Sequence, residues 1–232
     1  MAEQIDEMSR NFVELWTRDS GMNTPSEDLV RIFKGAYPHH RFDASDYPES
    51  SICDLSVGDG RNLLFLTGLG FDRIAGTEIT QAMVDLATEK VEAFQIHPDI
   101  QVGTNLSTPF NDGEFDYLVS WNSCYYVENV GDFPAHVDEF ARILRPGGTL
   151  VLSIPMKSHR VLDDCDDLDN GYSVLRNDHY GVRNGTIWRT FKDIDDITDS
   201  LSPSFSEFRT AAITDDMFGF SYHHHLVVCK KG

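Results

Sequence analysis

The stretch "SICDLSVGDGRNLLFL", residues 51–66, decides the fold. Residues 51–56 are a short apolar run of strand type, Gly58 and Gly60 turn the chain, and residues 61–69 have the composition of a helix that ends at Gly68 or Gly70. A strand, a glycine turn and a helix N-terminus together let a ligand approach the backbone closely. Glycine has no Cβ to hold the ligand off, and the helix end presents unpaired N–H groups. The chemistry around the turn must decide which ligand this one suits.

Working outward, strands and helices alternate. "RIAGTEI" reads as a second strand, and Thr80 is placed to cap a helix over 81–94 with Met83, Leu86, Ala87, Val91 and Phe94 on one face. "IQVGTN" reads as a third strand. "FDYLVSWN" is a fourth, apolar almost throughout, as suits a strand covered on both faces. Pro134 opens a helix with Phe133, Val137, Phe140 and Leu144 inward, "RPGG" ends it, and "TLVLSIP" is the fifth strand. This alternation predicts an α/β fold with a mostly parallel sheet and helices on both faces. Upstream, 4–17 reads as a helix with Ile5, Met8, Phe12, Val13 and Trp16 on one face. "NTPSEDLVRIF" predicts a second helix with Thr24 as N-cap, Pro25 at the first helical position and Glu27 closing a capping box. Residues 37–50 read as a linker. Downstream, 157–192 is polar, aromatic-dotted and lid-like, 193–201 is helical, and 205–213 with 222–229 form an antiparallel strand pair at one sheet edge. The expected organisation is one domain over 1–232. It has N-terminal helices and a linker (1–50), a core (51–156), the insert (157–192) and a C-terminal helix with two strands (193–232).

The bulk properties narrow the partners. The chain has 232 residues, 41% of them hydrophobic, enough for a core. Its formal net charge of −19 repels phosphate backbones and anionic lipid, so neither nucleic acid nor membrane is an expected partner. The acidic runs at 163–169 and 193–199 read as solvated faces. Cys53, Cys124, Cys165 and Cys229 lack the spacing of a zinc knuckle or redox motif and suit a reducing compartment. No signal peptide or membrane-length apolar run stands out, so a cytoplasmic location is expected. Alternate histidines of "YHHHL" would point to opposite faces of a strand, and no metal site is expected.

Two ligand classes use a glycine turn of this kind. A dinucleotide fingerprint requires a third glycine where Leu63 stands, and Asp59 would set a carboxylate beside the pyrophosphate. S-adenosylmethionine brings a sulfonium and an ammonium but no phosphate, and tolerates acid there. Four features, in this order and spacing, resemble the small-molecule branch of the class I S-adenosylmethionine-dependent methyltransferases, over about residues 50–156. In "DLSVGDGRN", Asp54, Gly58 and Gly60 match the family's acidic residue and alternating glycines, and Ser56 stands where a glycine is usual. In "GTEIT", Glu78 ends the second strand where a carboxylate can accept both ribose hydroxyls, with Ile79 against the adenine. Glu78 also reads as a carboxylate at a helix N-terminus. In "VGTNLSTPFNDGEFDYLVS", Pro109-Phe110 and Phe115-Asp116 match, and Asn105 and Leu106 fall at the adenine-reading place, with Thr104 the alternative register. "RILRPGGTLVLSIP" resembles the turn before the family's fifth strand.

The resemblance implies a Rossmann-like methyltransferase fold with an antiparallel C-terminal edge strand and S-adenosylmethionine as cofactor. The implied cofactor set is Asp54, Ser56, Gly58, Gly60, Asn62, Glu78, Ile79, Asn105, Leu106 and Trp121. A methyl acceptor belongs beyond the carboxyl ends of the first and fourth strands. "SWNSCYYVEN" ends the fourth strand, so Trp121, Asn122, Tyr125 and Tyr126 stand near it, with Asn122 and Tyr126 as orienting groups. His179 and Tyr180 are the base candidates. The expected activity is methyl transfer to an oxygen or nitrogen of a small molecule, a sugar among the classes in view. The alternatives are a nicotinamide-dependent oxidoreductase with a degenerate loop and a non-catalytic binding protein. Acceptor identity, the atom methylated and oligomeric state are not legible.

Overall fold

The computed structural model describes residues 2–18 and 24–232; of residues 2–5 and 18 it describes the backbone. A seven-stranded sheet runs in the order β10-β11-β6-β4-β1-β2-β3. Its parallel part is β1 (Ser51–Leu55), β2 (Arg73–Glu78), β3 (Asp99–Val102), β4 (Phe115–Trp121) and β6 (Leu144–Pro155). At one edge β11 (Phe220–Lys231) pairs antiparallel with β6 and with β10 (Phe205–Met217). The expected α/β fold and antiparallel edge are therefore present. From β1 the chain steps to β2 and β3 on one side, and β4 returns on the other. Such a reversal leaves a crevice at the carboxyl ends of β1 and β4.

Every residue of β4 is buried, and its side chains alternate between two cores. Leu118 faces a core shared with α5 (Phe133–Ile143) and α6 (Ile194–Leu201). Tyr117, Val119 and Trp121 face the other, shared with α2 (Glu27–Lys34) and α3 (Arg61–Thr67). Asp116 has an architectural role: its Oδ2 accepts the backbone N–H of Ser51 at 2.8 Å and its hydroxyl at 2.9 Å, tying the start of β1 to β4. Thr80 caps α4 (Gln81–Glu92) as expected, its Oγ1 accepting from Met83 N–H at 3.4 Å.

Several expectations are corrected. The second helix begins at Glu27, not after Thr24, with Ser26 as an N-cap that makes no side-chain cap bond. The Ser26 N–H is directed instead at Asn62 Oδ1 (3.3 Å). On α4, Val84 takes the buried place expected for Leu86 and Phe94, because the helix stops at Glu92 and leaves Phe94 half exposed. The third strand ends at Val102, and residues 104–107 close a turn in which Thr104 N–H donates to Ser107 O. The segment 37–50 contains a 3-10 helix, Ala44–Glu49, whose Tyr47 is buried and stacks on Phe71 at 4.4 Å. The strand pair expected over 205–213 and 222–229 runs on until only Phe218 and Gly219, both left-handed, join it as a two-residue hairpin turn. The position expected for the Ile5 side chain lies outside the described side chains.

Residues 157–192, expected to be lid-like, supply β7 (Cys165–Leu168), β8 (Tyr172–Leu175) and β9 (Ile187–Arg189), which with β5 (Tyr126–Val127) form a second, four-stranded antiparallel sheet in the order β5-β9-β8-β7. Trp188, from β9, is fully buried and joins the core that holds Phe133 and Leu118. The segment thus packs a face onto the core beyond the end of β4.

α1 (Ala2–Arg18) lies against α4. Ser9 Oγ and Thr80 Oγ1 are 2.5 Å apart, and Lys90 Nζ donates to Trp16 O at 2.8 Å. Gly60 sits where α3 crosses α4. It is left-handed (φ 81°), and a Cβ there would lie 2.5 Å from Val91 Cγ1. We expect Gly60→Ala to cost about 2–4 kcal/mol through backbone strain and overpacking, read by urea denaturation. A loss below about 1 kcal/mol would show that the α3–α4 contact yields freely.

Candidate active site

β1 and β2 run parallel with Leu55 opposite Thr77, so both strands end at one level. Beyond Leu55 the backbone turns left-handed at alternate residues: Ser56 (φ 58°), Gly58 (φ 64°) and Gly60 (φ 81°). This alternation explains the glycine spacing, and it explains the cost of Ser56, since a residue with a Cβ pays about 1–2 kcal/mol in that region. The loop is pinned to the end of β2. Val57 N–H donates to Thr77 O at 3.0 Å, and Gly58 N–H donates to Glu78 Oε1 at 2.7 Å. Glu78 Oε2 accepts the N–H of Ile79 at 3.0 Å. β4 ends in the same way as β1, at a left-handed residue with a side chain, Asn122 (φ 57°).

These ends open on a cleft of about 470 Å³. At one end it is lined by Ser56, Gly58, Asn62, Glu78, Ile79 and Asn105. α1 covers that end with Met8, Phe12 and Trp16; a Cβ on Gly58 would lie 3.3 Å from the Trp16 ring. Trp121 and Asn122 also line the cleft. Further wall comes from Tyr126, His159, Arg183, Tyr222 and His224. Asn122 is held firmly: its N–H donates to Ser153 Oγ, which donates to Asn122 Oδ1, both at 2.8 Å, and Asn122 Nδ2 reaches Tyr222 Oη at 3.4 Å.

Four sequence candidates do not line the cleft. Asp54 is buried beneath the loop, with neither carboxylate oxygen hydrogen-bonded. Burial, with Glu78 nearby, pushes its pKa well up. Gly60 is used for helix packing. Leu106 lies in the 104–107 turn, leaving Asn105 to face the cleft. His179 is exposed, because Asp178 beside it turns inward: Asp178 Oδ2 accepts the N–H groups of Val182 and Arg183, both at 3.1 Å. The histidines that do line the cleft are His159 and His224, on the 3-10 helix cap after β6 and on β11. No local spacing in the sequence marks either one; strand alternation through "YHHHL" does put His224 on the face opposite His223 and His225. Arg183, also missed, pairs with Asp178 Oδ1 at 2.8 Å.

The site's electrostatics follow from burial. Glu78 is 2% exposed, and desolvation lifts its pKa from 4.5 to about 7 against the opposing pull of the Gly58 and Ile79 N–H groups. Burial, and then Arg183 and neighbouring His223, push His159 down to about 4. Burial, then His159, push His224 down to about 2, so both rings are neutral near pH 7. Asn105 donates through Nδ2 to Ser123 O at 3.0 Å, while its Oδ1 is buried without a partner. An adenine amine is the kind of donor that would satisfy that oxygen. Glu78 has acceptor capacity beyond its two N–H bonds, enough for ribose hydroxyls. The residues present fit S-adenosylmethionine.

Comparison with known proteins agrees. Residues 53–152 match the family model described as "Methyltransferase domain". An uncharacterised 37.1 kDa protein of a Streptomyces fradiae transposon is 28% identical over 200 residues, covering 83% of this chain and 55% of that protein. The chain spans about half the length of the curated relatives it matches. Among solved structures, a SAM-dependent methyltransferase from Methanosarcina mazei superposes with TM-score 0.63 at 19% identity, covering 84% of this chain and 98% of that one. The N-methyltransferase NodS from Bradyrhizobium japonicum, in complex with S-adenosyl-L-homocysteine, superposes with TM-score 0.62 at 14% identity over 98% of both chains. At these identities the two structures speak to the fold.

The raised Glu78 pKa has a signed consequence. The folded state holds this proton more tightly than the unfolded chain, so the contribution is favourable below about pH 4.5 and is lost as pH rises through about 7. The loss is on the order of 3 kcal/mol. Glu78→Gln should remove it and flatten the stability profile between pH 4.5 and 7 in urea denaturation; the Asp54 contribution, of the same sign, remains. Parallel profiles for variant and parent would contradict it.

Proposed function

We propose that the chain, whose residues 53–152 match a methyltransferase family model, transfers a methyl group from S-adenosylmethionine to an oxygen or nitrogen of a small molecule. The observation that carries this reading is the cleft at the ends of β1, β2 and β4, where the left-handed loop at 56–60, Glu78 and Asn105 meet at one end. Glu78 accepts the ribose hydroxyls, Asn105 Oδ1 accepts the adenine amine, and Ile79 flanks the base. Trp16 and Phe12 of α1 close over the loop and keep water from that end. The bound cofactor supplies a methyl carbon activated by sulfonium. Transfer would break the carbon–sulfur bond with the electron pair left on sulfur, form the bond to the acceptor atom and release the acceptor's proton to water. The protein's task is alignment of the acceptor in line with that bond, for which Asn122, locked by Ser153, and Tyr126 are placed.

A nicotinamide-dependent oxidoreductase is disfavoured by the same geometry. Leu63 is fully buried where a third glycine would be needed, and Asp59 lines the loop. Binding separates the readings: calorimetric titration should show S-adenosylmethionine bound and NADH not. Glu78→Ala should weaken S-adenosylmethionine at least about tenfold, the loss of charge-assisted bonds to two hydroxyls. Unchanged affinity would remove Glu78 from the ribose. Labelled-methyl transfer to a metabolite extract, with product identified by mass spectrometry, tests the activity itself.

A further inference from the structure

The acceptor end of the cleft is built from rings. Tyr222 and His224 project from the same face of β11 and lie with centroids 4.2 Å apart. His159 stands edge-on to His224 at 4.7 Å and packs on Tyr222 at 5.5 Å. From the smaller sheet, Tyr126 stacks on Tyr125 at 5.2 Å and leans on Trp188 at 4.8 Å. All of these residues line the one cleft, with Trp121. Ring faces and edges in this arrangement offer offset-stacked and T-shaped places to another ring.

Few polar groups there are left open: Trp121 Nε1, Trp188 Nε1, Arg183 Nε and His224 Nδ1 are buried without a partner, and the others are bonded within the protein. Asn122 is held by Ser153 and Tyr222. Among the described residues, each charged side chain lining the cleft already has a partner. Arg183 is held by Asp178, Arg61 by Asp59, Glu128 by His136, Lys90 by the Trp16 carbonyl and Glu78 by two N–H groups. His159 Nδ1 accepts the Val161 N–H at 3.1 Å, so in the neutral ring the proton sits on Nε2, a single N–H donor. Both arginines lining the cleft are held by carboxylates, and the chain's net charge of −19 repels an anionic acceptor further. A sugar, with a hydroxyl on nearly every carbon, would leave most of them unpaired.

We infer that the methyl acceptor is an uncharged aromatic ring carrying a hydroxyl or amino group, held among Tyr222, His224, His159 and Tyr126. This assignment rests on the methyltransferase reading above and narrows its acceptor from small molecules in general to phenols and aryl amines, against sugars. It makes Tyr222 and His224 specificity-determining residues, which recognise ring character rather than charge.

The test uses the full chain saturated with S-adenosylhomocysteine, with catechol, 4-aminophenol, 1,2-cyclohexanediol, benzoate and methyl glucoside as probes in saturation-transfer NMR. Catechol and 4-aminophenol should bind, and the other three should not. Tyr222→Phe should hold catechol within about threefold of the parent, whereas Tyr222→Leu should lose at least about tenfold. Binding of the cyclohexanediol or the glucoside as strong as that of catechol would overturn the inference, as would silence of both aromatic probes or equal affinity in the Leu and Phe variants. If Tyr222→Leu fails to fold, the catechol and cyclohexanediol comparison on the parent decides alone. The two readings fail separately. Absence of S-adenosylmethionine binding in the calorimetric titration sinks the methyltransferase reading, while cofactor bound with aromatic probes silent sinks only this one.

Discussion

The bond from Gly58 N–H to Glu78 Oε1, 2.7 Å long, holds the functional end of this molecule in place. It joins the loop after β1 to the last residue of β2, and so fixes a backbone that is left-handed at 56, 58 and 60. Two of those positions are glycines and pay little for it; Ser56 pays. The strain is sustained because the surroundings over-determine the loop: Val57 N–H is bound to Thr77 O, and Gly60 is wedged against Val91. The same bond explains how a carboxylate that is nearly fully buried persists. Two N–H groups offset part of its desolvation, but not all, and its proton affinity rises.

From this constraint the arrangement of the site follows. Neighbouring parallel strands in register end at one level, and the chain reversal between β1 and β4 opens a crevice there. The second left-handed residue, Asn122, closes β4 beside it. α1 roofs the loop, and the smaller sheet with β11 walls the rest. One end is polar, with Glu78 and Asn105; the other is lined by aromatic rings.

Much of the fold was legible because burial writes itself into local pattern. β4 is covered on both faces and reads as a continuous apolar run; α5 shows its inward face at helical spacing; Thr80 caps where a cap is needed. The smaller sheet was not legible. Its strands are two to four residues long and half polar, too short for a period of two to register, and Tyr126–Val127 finds its partner sixty residues away at Ile187–Trp188. The start of α2 was misplaced: the helix begins at Glu27, and the Ser26 N–H before it bonds to Asn62 Oδ1, a distant side chain that no local pattern reveals. The site divides along the same line. Ser56, Gly58, Glu78 and Asn105 follow strand ends and can be found from them. His159, Arg183 and His224 come together only through tertiary packing, and His179 was the tempting residue because it sits in the polar run whose neighbour Asp178, not itself, turns inward.

The most direct test of this account is a crystal structure of the chain with S-adenosylhomocysteine. The account places the ribose hydroxyls on the Glu78 carboxylate, the adenine amine on Asn105 Oδ1, and the sulfur directed toward Trp121 and Asn122, with the loop at 56–60 still left-handed. Ribose bound away from Glu78, or a loop that must leave its left-handed conformation to admit the ligand, would contradict it.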